Sequence, residues 1–138
     1  MRFLLDTDIC IYLINASHPS LSRKVAATRP GDLCTSAIVE AELRFGAQGS
    51  TRRSEVQEAL TRFFAEVSVL PFDRAAASRY GEVRAQLARR GRPIGPLDTL
   101  IAGHTLSVGL TLVTNNEQEF RRVKGLRIEN WASSKESD

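Results

Sequence analysis

An α/β sandwich, a mainly parallel central sheet of four or five strands covered by helices on both faces, is the fold class this sequence predicts. Three observations carry that prediction. Short apolar runs recur along the chain, near residues 2–5, 33–35, 67–72, 110–113 and 127–129, and the first, second and fourth are continuous, as in strands buried on both faces. Helical patterns separate them. The chain has 138 residues, 42% of them hydrophobic and 25% charged, which suits a single soluble core and is too short for two.

The elements follow in order. Residues 2–5 meet Asp6, Thr7 and Asp8 before a second apolar stretch at 9–14, the pattern of a buried strand, a polar turn and a helix. A second helix starts near Pro19 and is stopped by Pro30 and Gly31. Residues 33–35 form another strand leading into Ser36, whose hydroxyl suits the cap of a helix reaching about Ala47. A charged amphipathic helix covers 51–66, a strand follows, and Asp73 caps a long helix to about Arg90. The Gly- and Pro-rich stretch 91–96 is a loop; from Leu97 an apolar helix reaches Val108, where Gly109 ends it. After the strand at 110–113, the turn Thr114-Asn115-Asn116 opens a short helix over 117–122, and 127–129 form a last strand. One domain over 1–132 with a disordered tail over 133–138 is the expected organisation.

No apolar run approaches the ~20 residues of a membrane helix, and the N-terminus lacks a basic segment followed by an apolar one, so a cytoplasmic protein without membrane contact is expected. Cys10 and Cys34 are far apart in apolar surroundings and read as free core thiols. Lys and Arg total 19 against 16 Asp and Glu, a net +3, with arginine gathered at Arg89, Arg90 and Arg92 and again at Arg121 and Arg122. Such runs suit a nucleic-acid phosphate backbone and equally an ordinary solvated face. The chain has no GxxxxGK[ST], GxGxxG or GxSxG motif, so nucleotide cofactors and serine hydrolysis lack their usual support.

Acidic residues carry the chemistry. In an open α/β sheet, polar groups just past the carboxyl ends of strands converge on one edge, and Asp6 and Asn116 are placed there. A helical wheel over 36–47 puts Ile38, Val39, Leu43, Phe45 and Gly46 on one face with Glu42 among them, while Glu40 falls opposite, one turn from Arg44. A carboxylate on a core face requires a cation or strong donors beside it, either an ion or a buried arginine. Asp98 begins the helix after the Gly-Pro loop. Each has a purely structural alternative: Asp6 and Asp98 as helix caps or first-turn acids, Asn116 and Glu119 as a cap and its capping-box partner. Taken together, Asp6, Glu42 and Asp98 make an oxygen-rich set suited to Mg²⁺ or Mn²⁺. Zinc fits poorly, because the two histidines, His18 and His104, lie apart in a loop and in an apolar helix.

Leu4-Leu5-Asp6-Thr7-Asp8-Ile9, then Ser36-Ala-Ile-Val-Glu-Ala-Glu42-Leu43-Arg44-Phe45-Gly46, Gly91-Arg-Pro-Ile-Gly-Pro-Leu-Asp98 and Leu112-Val-Thr114-Asn-Asn116-Glu-Gln-Glu119-Phe120 stand in this order. In that ordered set the chain resembles the VapC toxins of the PIN-domain ribonucleases from about residue 1 to Trp131, most of all the branch that cuts initiator tRNA in its anticodon region. The resemblance implies a three-layer PIN sandwich, a Mg²⁺-dependent endoribonuclease, a VapB-type antitoxin as partner and a homodimer. Carried over by position, its acidic residues fall on Asp6, Glu42 and Asp98. Where the family often has a fourth aspartate stands Asn116, so the site holds one charge less unless Glu119 contributes.

On this reading Asp6, Glu42 and Asp98 hold the metal, and Thr7, Ser36 and Thr114 offer hydroxyls to orient a water or a carboxylate. Arg89, Arg90, Arg92, Arg121 and Arg122 hold RNA. Two other classes compete. A phospho-receiver domain also uses strand-end aspartates, but wants a lysine after a late strand, where Asn115-Asn116-Glu117 stands here. A non-catalytic module would use the acidic pocket to accept a partner's arginine.

Overall fold

The structure is a computed structural model and describes residues 1–132; the tail expected over 133–138 lies outside the described residues. Five strands, β1 (Phe3–Leu5), β2 (Leu33–Ser36), β3 (Ser68–Leu70), β4 (Thr111–Val113) and β5 (Ile128–Glu129), form one sheet in the order β3-β2-β1-β4-β5. Every neighbouring pair is parallel. The helices are α1 (Thr7–Asn15), α2 (Pro19–Ala26), α3 (Ala37–Gln48), α4 (Arg53–Glu66), α5 (Arg74–Arg89), α6 (Pro96–Val108) and α7 (Glu117–Phe120). Each crossover between parallel strands uses one or two of them.

The apolar runs explain the layers. Every residue of β1 and β2 is buried, as are Leu112 and Val113 of β4, so the sheet is covered on both sides. The two cysteines are buried and unpaired within this core, as expected. Asp6, Ser36 and Asp73 cap α1, α3 and α5 through their side chains, which ends each preceding extended segment and begins the helix. Gly109 closes α6 in the left-handed conformation, φ 68°. Gly103 of α6 faces the backbone of α5: a Cβ there would stand 2.7 Å from Tyr80 N and Cα.

Topology fixes where a site can form. From β1 the chain moves outward to β2 and β3, then returns to the other side for β4 and β5, so the order reverses between β1 and β4. A crevice opens at such a switch point beyond the carboxyl ends of the strands. Leu5 pairs with Val113, which brings the next residues, Asp6 and Thr114, out side by side.

One expectation is corrected here. The buried stripe of α3 is Val39, Leu43 and Ala47, while Phe45 is 80% exposed and Gly46 is exposed too. Phe45, Ile38 and Gly46 pull the wheel's apolar direction away from the true core stripe. At 100° per residue Glu42 therefore stands about 100° from the stripe's centre, at the rim of the core rather than on its face.

Candidate active site

Asp6 is the most constrained group of the crevice. Its Oδ1 accepts the Thr7 backbone N–H (2.8 Å) and its Oδ2 accepts the Thr114 hydroxyl (2.7 Å). Thr114 Oγ1 also accepts the backbone N–H of Asn116 (2.9 Å), so one hydroxyl ties the β1 carboxylate to the turn after β4. Thr7 Oγ1 donates to Glu42 Oε1 at 2.8 Å, joining α1 to α3 across 35 residues of sequence. Two of the three expected orienting hydroxyls thus hold carboxylates.

Ser36 does something else. Its Oγ accepts the Ile38 N–H (3.0 Å) and lies 2.7 Å from His104 Nδ1, deep in the core. That pair locks the start of α3 against α6, and His104, whose burial pushes its pKa down, is structural. Ser36 acts on Glu42 only by fixing the helix that carries it.

Asp98 lies in the first turn of α6 but caps nothing, since Gly95 occupies the cap position. It folds back over Gly95, whose added Cβ would be 3.6 Å from Asp98 Oδ2. Glu119 reaches the same place from α7: its Oε1 accepts the Gly95 N–H (3.2 Å), and its charge bears on Asp98. The capping-box expectation is therefore corrected. Asn116 sits at the N-cap of α7 without a side-chain cap bond, and Glu119 turns toward Asp98 because the 91–95 loop offers it a backbone donor.

Asp8 is a member that sequence reasoning missed. Its place in the sequence suits a spare cap, yet it is half-buried, its carboxyl is pushed up by burial, and its charge bears on both Asp6 and Asp98. The available signal is its spacing of two residues from Asp6 at the start of a helix, which leaves both near one strand end.

Electrostatics define the crevice. Burial pushes the Asp6 carboxyl up to about 7, reinforced by Asp8 and Asp98 and opposed by its bonds from Thr114 and Thr7. Burial likewise raises Asp98 to about 6, with Glu119, Glu42 and Asp8 adding repulsion. Among the described residues, none of these five acids has a Lys, Arg or His nitrogen within 4 Å, whereas six ion pairs occur elsewhere. A buried Glu42–arginine pair is thereby excluded among the described residues. No three of the described acids converge on one ion-sized point, so the cluster is an open ring and not a closed cage.

The candidate arginines separate into groups. Arg90, Arg92, Arg121 and Arg122 line a common cavity beside the 91–95 loop, whereas Arg89 is exposed at the end of α5 and does not line it. Lys124 follows outside, and Arg127 bonds to Gly109 O (2.7 Å) at the opposite end of the sheet.

The PIN domain family matches residues 3–126. Over 96% of this chain and 99% of the relative, 43% of residues are identical to the tRNA(fMet)-specific endonuclease VapC of Shigella flexneri. The chain belongs to the PIN-domain family, within its VapC group. The VapC of the same description from Salmonella typhimurium is 40% identical over 95% of this chain and 98% of its own. A PIN-domain chain in the crystal structure of DNA-bound VapBC from Salmonella typhimurium superposes with a TM-score of 0.90, at 39% identity, covering 95% of this chain and 98% of that one. The three-layer PIN sandwich and its parallel five-stranded sheet are thus confirmed, and the receiver-domain reading is set aside. Among the described residues no helix is long and apolar enough to cross a membrane.

Proposed function

We propose that this chain is the toxin of a type II toxin–antitoxin pair, an endoribonuclease that hydrolyses a phosphodiester in the anticodon region of a tRNA, initiator tRNA foremost, and is silenced by a VapB-type antitoxin. The observation that carries this is the ring of Asp6, Asp8, Glu42, Asp98 and Glu119 at the β1/β4 switch point, without a counter-charge among the described residues, in a chain 43% identical to a tRNA(fMet)-specific endonuclease.

The donor set fits Mg²⁺ or Mn²⁺: every side chain offers carboxylate oxygen, and burial, with repulsion from the neighbouring acids added to it, holds Asp6 and Asp98 above their ordinary range, a cost that a divalent cation would relieve. Asp6, Asp98 and Glu42 would hold it directly or through water, as an open ring allows, with Glu119 and Asp8 adjoining. Such an ion supplies charge stabilisation at the phosphate and acidifies a bound water. The chain's own residues do the positioning. Thr114 and the Thr7 N–H fix the plane of the Asp6 carboxylate, Thr7 Oγ1 engages Glu42 Oε1 and leaves Oε2 free, and Glu119 anchors the loop beside Asp98 through Gly95.

Sequencing the RNA ends left by the purified, antitoxin-free protein, with and without Mg²⁺, tests the reading. Metal-dependent cuts at one anticodon-loop position are expected. An intact fold that binds the antitoxin but leaves RNA uncut in Mg²⁺ and in Mn²⁺ would instead identify a non-catalytic acidic-pocket module.

A further inference from the structure

The second charged feature of the molecule lies beside the 91–95 loop, which also borders the acidic ring. Leu87, Arg90, Arg92, Gln118, Arg121 and Arg122 line a cavity of ≈ 200 Å³. Its arginines come from segments about thirty residues apart in sequence, so the fold has assembled a basic pocket that neither run makes alone. Arg121 is neutralised by Glu117 (2.9 Å), but among the described residues Arg90, Arg92 and Arg122 have no carboxylate within 4 Å. Arg122 Nη1 donates to Pro93 O (3.0 Å), and its Nε is the one described buried side-chain donor or acceptor without a hydrogen-bond partner. Clustered guanidinia with unfilled donors repel one another, and an oxyanion that accepts forked hydrogen bonds is the ligand that relieves this.

The loop links this pocket to the acids. Arg122 grips Pro93, and two residues on Gly95 is gripped by Glu119 beside Asp98. Two residues span at most ~7 Å, so the pocket and the acidic ring are neighbours with opposite charge. We propose that the Arg90–Arg92–Arg122 pocket binds a non-scissile phosphate of the RNA and thereby sets where the strand crosses the carboxylates. This rests on the nuclease reading above and adds to it a positioning site outside the reacting centre. Acids repel a phosphate chain, and a basic pocket one loop away gives that chain a fixed point of attachment.

The test compares Arg90→Ala/Arg92→Ala with Arg74→Ala, an exposed arginine at the opposite end of α5, about 24 Å away along a 16-residue helix. Both altered side chains of the double variant are exposed, so folding is not at stake. With initiator tRNA the double variant should raise KM about tenfold or more while kcat stays within about twofold. The log–log salt dependence of tRNA binding should flatten by about 0.7–0.9 for each phosphate that the pocket no longer holds. Arg122→Lys keeps the charge but loses the fork, and should fall between the wild type and the double variant. Binding is read by anisotropy in an Asp98→Asn background, apart from turnover. Normal cleavage with KM and salt slope unmoved in Arg90→Ala/Arg92→Ala overturns the pocket and leaves the nuclease standing. Arginine-dependent tRNA binding by a chain that cuts no RNA overturns the nuclease and keeps the pocket. Loss of antitoxin affinity with tRNA binding unchanged also overturns the proposal, because the pocket then serves an acidic protein segment.

Discussion

Two glutamates on one helix show how differently the same side chain can be used. Glu40 of α3 bonds Arg44 Nε at 3.1 Å, and the same arginine reaches Gln57 and Thr61 of α4, so charge is matched and two helices are joined. Glu42, two residues on, receives one hydroxyl from Thr7, and its charge bears on Asp98. One acid has its counter-charge on its own helix, and the other has none among the described residues. A residue's partner, more than its burial, separates the ion-paired acid from the proposed ligand: both are only half-buried.

The sharpest way to break this comparison is to neutralise the unpaired side. Asp98→Asn and Glu42→Gln should each remove cleavage by about 10³-fold or more, because a bound ion's charge stabilisation is worth several kcal/mol. Circular dichroism should show both folded, and Mg²⁺ titration should show weaker binding. Full turnover by either variant would detach the acidic ring from catalysis.

Thr114→Val is the next largest effect. It keeps the shape of the side chain and deletes the donor to Asp6 Oδ2, and loss of such an orienting bond lowers metal affinity or activity about 10–100-fold. Cleavage rates as a function of Mg²⁺ concentration measure it; an unchanged profile means Asp6 needs no tether.

The metal-free protein should also respond to pH. Asp6 and Asp98 titrate at about 7 and about 6 in the fold, above their ordinary value of 3.8, so the native state holds protons that the unfolded chain releases. Their contribution to stability is complete below about 4 and is lost as pH rises through 6 and 7. Denaturant midpoints of the metal-free protein should fall from pH 5 to pH 8 on this account. Mg²⁺ at pH 8 should restore stability, and Asp6→Asn should flatten the decline.

Smallest is the paired side. Glu40→Gln should leave cleavage intact and cost about 0.2–1 kcal/mol, since Arg44 keeps its bonds to α4. A thermal midpoint lowered by a few degrees would match; a loss of cleavage would mean the two glutamates are not separable.

Much of the fold and of the acidic site is legible in the sequence. Continuous apolar runs ending at Asp6, Ser36 and Thr114 mark strands, caps and the functional edge together, because a parallel sheet buries both faces and ends every strand at one rim. The wheel of α3 misleads because Phe45 is apolar yet exposed, and one exposed aromatic shifts the apparent core direction of a twelve-residue helix. Glu119 and Asp8 are hard to read for another reason. Local sequence offers each a cap, and only the tertiary approach of the 91–95 loop, or of β1 to β4, gives them other neighbours. The arginine pocket is readable as two charge runs but not as one cavity, since the loop that joins them has no periodicity.

The contact of Gly103 with Tyr80 matters for how this chain would fail under selection. Backbone meets backbone there, so no side chain can swing aside to admit even a methyl group. Gly103→Ala must part α5 from α6, and α6 carries Asp98 at its first turn. A genetic screen for cells that survive expression of the chain without its antitoxin should therefore recover substitutions at Gly103 alongside those at the acids, disarming the protein through a hydrogen-to-methyl exchange that alters no charged group of the site.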